Sequence, residues 1–125
     1  MDADTINSTT ERIIGCAFAV SNTLGSGFLE KVYENALALE LRRAGLAVEQ
    51  QSPIAVYYQS ELVGDFAADL LVEQCVIVEL KTGKALDDAH MAQCINYLAA
   101  TGLKVCLLLN FGRPKLEVKR VVRDL

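Results

Sequence analysis

Tryptophan is absent, histidine occurs once and proline twice in this chain of 125 residues. The lone histidine, His90, and the cysteines Cys16, Cys75, Cys94 and Cys106, none in a CxxC pair, leave no Cys/His zinc spacing. The cysteines are scattered among apolar neighbours and read as reduced core thiols. No apolar run reaches the length of a membrane span, about 18 residues, and the opening "MDADTINSTT" is polar and acidic, unlike a signal peptide. A cytoplasmic location with no membrane contact is therefore the expectation. Internal repeats, low-complexity tracts and Pro/Ser-rich linkers are also missing, so residues 1–125 are expected to form a single domain. The 52% hydrophobic content supplies a core for it.

What is present begins with charge. A net charge of −4 argues against a protein that coats nucleic acid by bulk electrostatics. From Arg113 onward, however, "RPKLEVKRVVRDL" holds five basic residues against two acidic, so that segment carries +3 and the preceding 112 residues carry −7. The basic tail is either a solvated strand and terminus or part of a phosphate-facing rim.

Ile13, Ile14, Ala17, Val20 and Leu24 recur at helical spacing within 5–24, ahead of Gly25. A second helix is expected over about 28–44, where Leu29, Tyr33, Leu37 and Leu41 form an i,i+4 stripe and Gly45 ends it. Strand patterns follow from about Val48, with "PIAVYY" and then "LVGDFAADLLV" and "CVIVELK", separated by short polar turns and arranged as an antiparallel meander. "LDDAHMAQCINYLAATG" reads as a third helix, with Asp87 and Asp88 complementing its dipole. "KVCLLLNFG" has the unbroken apolar character of a strand covered on both faces, and "LEVKRVV" is a last strand. The expected class is α/β, a mixed central sheet flanked by helices in the order ααββββαββ.

Within "ADLLVEQCVIVELKTG", Asp69, Glu79 and Lys81 interrupt otherwise apolar strands. Charges there are costly unless compensated. Alternation puts Glu79 and Lys81 on one face, about 7 Å apart at Cα. Asp69 opposes Glu79 if paired residue numbers sum to 148, which needs an odd-numbered loop centred on Gln74. A two-residue turn would put the acids on opposite faces. In the odd register two carboxylates project side by side, and like charges this close raise each other's pKa unless a cation neutralises them. A hard divalent ion such as Mg²⁺ suits such oxygen donors, with Lys81 holding or helping to deprotonate an attacking water. That constellation suits phosphodiester hydrolysis. The plain alternative is an exposed Glu79–Lys81 ion pair worth at most about 1 kcal/mol.

Three motifs extend this reading. "GFLEKVY" fits GxxExxY through Gly27, Glu30 and Tyr33; "DLLVEQCVIVELK" fits a D…ExK core through Asp69, Glu79 and Lys81; "QCINY" fits QxxxY through Gln93 and Tyr97. Together and in this order they resemble the GxxExxY family of the PD-(D/E)xK nuclease superfamily, in its RecB-like branch, over roughly 13–122. The resemblance implies a restriction-endonuclease-like core in which Asp69, Glu79 and the Leu80 backbone carbonyl bind Mg²⁺ or Mn²⁺, with Glu30 approaching the metal or its waters and Lys81 as catalytic lysine. It also implies that Gln93 and Tyr97 face the site. Tyr33 and His90 are further substrate-binding candidates, Tyr33 equally suited to core packing and His90 one turn before Gln93. Where members of the family often carry a histidine late in the first helix, this chain has Ser21.

The leading expectation is a Mg²⁺-dependent nuclease acting on DNA in preference to RNA. An acidic body with a modest basic tail binds DNA weakly as a monomer, so a homodimer or a protein partner is expected. The alternative is a non-catalytic nuclease-like scaffold or protein-interaction domain, favoured by small size and a mean hydropathy of +0.27. A third reading is a small-molecule phosphohydrolase using the same metal site.

Overall fold

A computed structural model describes residues 2–125. Two helices, α1 (Ala3–Leu24) and α2 (Glu30–Arg43), precede strands β1 (Val48–Tyr58), β2 (Glu61–Val72) and β3 (Val76–Lys81). Helix α3 (Asp88–Thr101) and strands β4 (Val105–Asn110) and β5 (Glu117–Val122) complete the chain. The mixed sheet and its helices are as expected, but three strands, not four, precede α3. The stretch from Val48 through "PIAVYY" is one 11-residue strand passing through Pro53. Proline is tolerated there because β1 lies at the edge of the sheet.

The strands lie in the order β1-β2-β3-β4-β5. All neighbours are antiparallel except β3 and β4, which run parallel with α3 as their crossover. Helices α1 and α2 cover one face, where Ile13, Leu37 and Leu41 pack with Leu70, Val78, Leu80, Leu107 and Leu109. Helix α3 covers the other, where Cys94 and Leu98 meet Ile77, Cys106 and Leu108. Strand β4 is buried at every position, which is why its sequence lacks alternation. Each buried leucine contributes about 2 kcal/mol relative to exposure. The cysteines are free thiols, with Cys75, Cys94 and Cys106 buried and Cys16 partly so.

One irregularity positions the site. Val48 of β1 and Leu70 and Val72 of β2 face α1 and α2, whereas Ile54 and Ala68, of the same parity, face α3. Both strands therefore exchange faces between these points, at Gln51 and Asp69. Gln51 has φ +52, a left-handed conformation uncommon for a residue with a side chain. Beyond the exchange, β1 and β2 continue as a two-stranded arm past the end of the β2–β3 pairing at Leu70–Val78.

Candidate active site

The loop between β2 and β3 decides where the acids go. Leu70 pairs with Val78, Leu71 with Ile77 and Val72 with Val76, the register whose numbers sum to 148, and the loop is Glu73, Gln74 and Cys75. Glu73 and Gln74 both turn through positive φ, +52 and +54. The next position along each strand opposes Asp69 to Glu79, and here side chains take over from the backbone ladder. The Asp69 N–H donates to Glu79 Oε2 at 2.8 Å, and the Leu80 N–H donates to Asp69 Oδ2 at 2.8 Å. Each carboxylate thus satisfies a backbone donor of the opposite strand, which compensates charge placed in a sheet.

The compensation is incomplete. Glu79 is 3% exposed, and burial, followed by the charge of Asp69, pushes its pKa up to about 8, while the Asp69 N–H and Lys81 pull the other way. Burial thus favours a proton on Glu79 near neutral pH. The oxygens outside these backbone bonds are Glu79 Oε1 and Asp69 Oδ1, the latter meeting only Gln51 Nε2, at 3.4 Å.

Lys81 ends β3 on the same face as Glu79. Among the described residues it forms no ion pair within 4.0 Å, so the plain Glu79–Lys81 pair does not form. Its Nζ donates instead to Gln93 Oε1 at 3.1 Å, and Gln93 Nε2 donates to the Tyr97 hydroxyl at 3.2 Å. One turn of α3 separates Gln93 from Tyr97, so the amide is held at both ends and its orientation follows. The Tyr97 pKa is raised, first by burial and then by the charges of Glu79 and Asp69.

Glu30 opens α2. Although the residue is largely exposed, partial desolvation of its carboxyl raises its pKa, Asp69 adds to the rise, and Lys81 and His90 oppose it. It stands within electrostatic reach of the acid pair. Tyr33 is placed differently: fully buried, stacked on Phe111 at 4.8 Å, its hydroxyl donates to the Gly25 carbonyl at 2.6 Å and accepts from the Phe28 N–H at 3.2 Å. It clasps the turn in which Gly27 adopts φ +118, open to glycine, and so fixes where α2 begins and where Glu30 stands. The three residues of GxxExxY are thereby one device, with only Glu30 facing the acids. Ser21 is buried within α1.

His90 lies in the first turn of α3. Its Nδ1 accepts from the Asp87 N–H at 3.2 Å while Asp87 Oδ1 accepts from the His90 N–H at 2.9 Å, a reciprocal cap on α3. With Nδ1 so used, neutral His90 carries its proton on Nε2.

Sequence reasoning passed over several residues that hold this arrangement. Glu34, 3% exposed, accepts from Lys31, Gln50 and Gln51, and Gln51 links it to Asp69. Asn110, fully buried, accepts from the N–H groups of Gly83 and Gly112 and donates to the Gly83 carbonyl and to Glu117, pinning the loop that follows Lys81. An acid four residues after Glu30 on the same helix was a readable hint for Glu34. Gln51 and Asn110 carried none. The basic tail is largely engaged elsewhere: Arg113 pairs with Glu117 at 3.8 Å, and Arg120 and Arg123 bond Asn7 and the Leu98 carbonyl.

Among the described residues no three His, Cys, Asp or Glu side chains converge as a metal cage. The pair itself fits a hard divalent ion. Each acid is steadied through one oxygen and offers the other, and Mg²⁺ typically takes one or two carboxylates and fills its remaining positions with water and substrate. Also among the described residues, no helix is long and apolar enough to cross a membrane.

Comparison with curated proteins finds no match in sequence. Among solved structures, an alkaline exonuclease from Laribacter hongkongensis is similar in fold, with a TM-score of 0.51 and 13% identity, over 93% of this chain and 83% of that one. The sequence matches the PD-(D/E)XK nuclease superfamily over residues 7–121, a span that takes in α1 from Asn7 onward, α2 and α3, all five strands but the last residue of β5, and the paired acids with their lysine. With the restriction-endonuclease-like arrangement of a mixed sheet between helices already in view, the chain belongs to the PD-(D/E)XK nuclease superfamily.

Proposed function

We propose that this chain hydrolyses phosphodiester bonds, of DNA in preference to RNA, with Mg²⁺ or Mn²⁺ held between Asp69 and Glu79. Nucleases of this superfamily generally use divalent metal ions. The observation that carries the reading is the crossed pair of bonds from Asp69 N–H to Glu79 and from Leu80 N–H to Asp69, which fixes both carboxylates and leaves Glu79 Oε1 and Asp69 Oδ1 outside those bonds, the latter meeting Gln51 Nε2 at 3.4 Å. The Leu80 carbonyl, between Glu79 and Lys81, would be a further oxygen ligand, and Glu30 would act on the ion's surroundings from the rim. The bound ion supplies Lewis-acid charge at the phosphorus oxygens and acidifies water. Lys81 would orient the attacking water or donate a hydrogen bond from Nζ to a phosphate oxygen, with Gln93 fixing its direction. Tyr97 holds Gln93, and His90, whose Nδ1 is engaged in the cap of α3, would have Nε2 left for substrate.

The GxxExxY pattern and the QxxxY pair support the narrower placing in the GxxExxY family and the RecB-like branch, with residues 1–125 acting as one cytoplasmic domain. A net charge of −4 favours action as a homodimer or beside a protein partner that adds affinity for nucleic acid. The test is Mn²⁺-dependent cleavage of single- and double-stranded DNA and RNA by wild type beside Lys81→Ala. Wild type cleaves DNA, and the variant loses about 100-fold or more in rate while remaining folded. Equal rates in the two proteins refute the reading.

A second reading, a non-catalytic scaffold, draws on the tip of the β1–β2 arm, where Tyr58, Leu62 and Val63 are exposed. In that case partner binding survives Asp69→Ala and Lys81→Ala.

A further inference from the structure

A groove of about 840 Å³ lies between the β1–β2 arm and α3. Its walls include Tyr57, Phe66, Ala92, Gln93, Asn96 and Tyr97. Tyr57 and Phe66 are 65% and 51% exposed, and the Phe66 ring lies 6.0 Å from that of Tyr97. Contiguous exposed apolar surface of this kind, rimmed by polar side chains, marks a binding groove.

The lining narrows what that is. It holds no charged side chain, so it is unsuited to phosphates or an acidic or basic peptide. It joins aromatic faces to two amides, Gln93 and Asn96, the combination that stacks a flat heterocycle and reads its polar edge. It is also continuous with the proposed catalytic site: Gln93 forms part of the wall while its Oε1 accepts from Lys81 Nζ. A strand whose phosphate meets Lys81 therefore places the adjoining base at the groove mouth. A base paired within a duplex keeps its faces stacked on neighbours and cannot enter.

We infer that this groove is a nucleobase subsite that takes an unpaired base next to the scissile phosphate, making single-stranded nucleic acid, or a frayed end, the preferred substrate. The inference rests on the nuclease reading and deepens it. Phe66 and Tyr57 supply the stacking surface and Asn96 and Gln93 the polar contacts.

The test uses a single-stranded oligodeoxynucleotide carrying 2-aminopurine, and the blunt duplex of the same sequence, with wild type, Phe66→Ala and Phe66→Tyr. Binding is read in EDTA from 2-aminopurine quenching, and cleavage separately with Mn²⁺. Phe66→Ala weakens single-strand binding about tenfold, loses the quenching and leaves duplex binding unchanged, while Phe66→Tyr restores both. Because Phe66 is half exposed, circular dichroism shows both variants folded. If wild type cleaves and Phe66→Ala matches it in binding and quenching, the subsite assignment fails and the nuclease reading stands. If wild type neither binds nor cleaves either polymer, both fail. A wild-type dimer that Phe66→Ala dissociates, with oligonucleotide binding unaltered, assigns the groove to a second copy of this chain and overturns the inference.

Discussion

Asp69 and Glu79 resolve the cost of charge inside a sheet in two ways at once, through backbone bonds and through a proton. The backbone bonds hold the carboxylates 2.8 Å from the N–H groups of the opposite strand. The proton follows from a Glu79 pKa near 8, raised by burial and then by Asp69 above an ordinary value of 4.5. A carboxyl whose folded pKa is raised favours the folded state most below its unfolded pKa, and that contribution is lost as pH rises to the folded value. Metal-free protein should therefore lose stability from about pH 4.5 to about pH 8 relative to Glu79→Gln, which cannot titrate, with a slope approaching about 1.4 kcal/mol per pH unit. Thermal unfolding in EDTA across that range checks this, and parallel curves for the two proteins contradict it. Tyr33 works at the same scale without touching substrate. Tyr33→Phe leaves the Phe28 N–H without its acceptor and the Gly25 carbonyl without its donor, and is expected to cost about 1–2 kcal/mol in urea unfolding.

At the scale of elements, the site is a junction of β2, β3 and the starts of α2 and α3, and the loops around it are held at fixed separation. Gly112, after β4, packs against the loop after β3 so closely that a Cβ there would lie 2.6 Å from the Gly83 carbonyl oxygen. Gly112→Ala must push that loop away from its Asn110 anchor, costing about 1–3 kcal/mol and shifting Lys81 with it. A fall in both the denaturation midpoint and the cleavage rate is expected, and unchanged stability would show that the loop moves freely. Much of this layer was legible in the sequence. Periodicity located the three helices, and parity alone showed that an odd loop must join β2 to β3 for the acids to share a face, as they do around Gln74. What was not legible has a common cause: it depends on conformations or partners distant in sequence. Pro53 opens "PIAVYY" in the sequence, whereas in the sheet the edge strand β1 runs straight through it. Gln51 exchanges the faces of β1 with no glycine to mark the spot, and the Tyr33 clasp emerges only when the Gly25–Gly27 turn folds back on the helix.

Taken whole, the molecule places one apolar layer on each side of the sheet and leaves its charged chemistry where the second strand parts from the third. Burial of Glu79 raises its pKa, and on the proposed reading a divalent ion would offset that burial by replacing the proton. Isothermal titration calorimetry with Mn²⁺, repeated in buffers of different ionisation enthalpy, reads both events together. At pH 7 wild type should bind the ion and release about one proton, with the release falling toward zero by pH 9, while Glu79→Gln shows neither. Absence of saturable binding in wild type, or equal binding and proton release in Glu79→Gln, would contradict a cation held between these two acids.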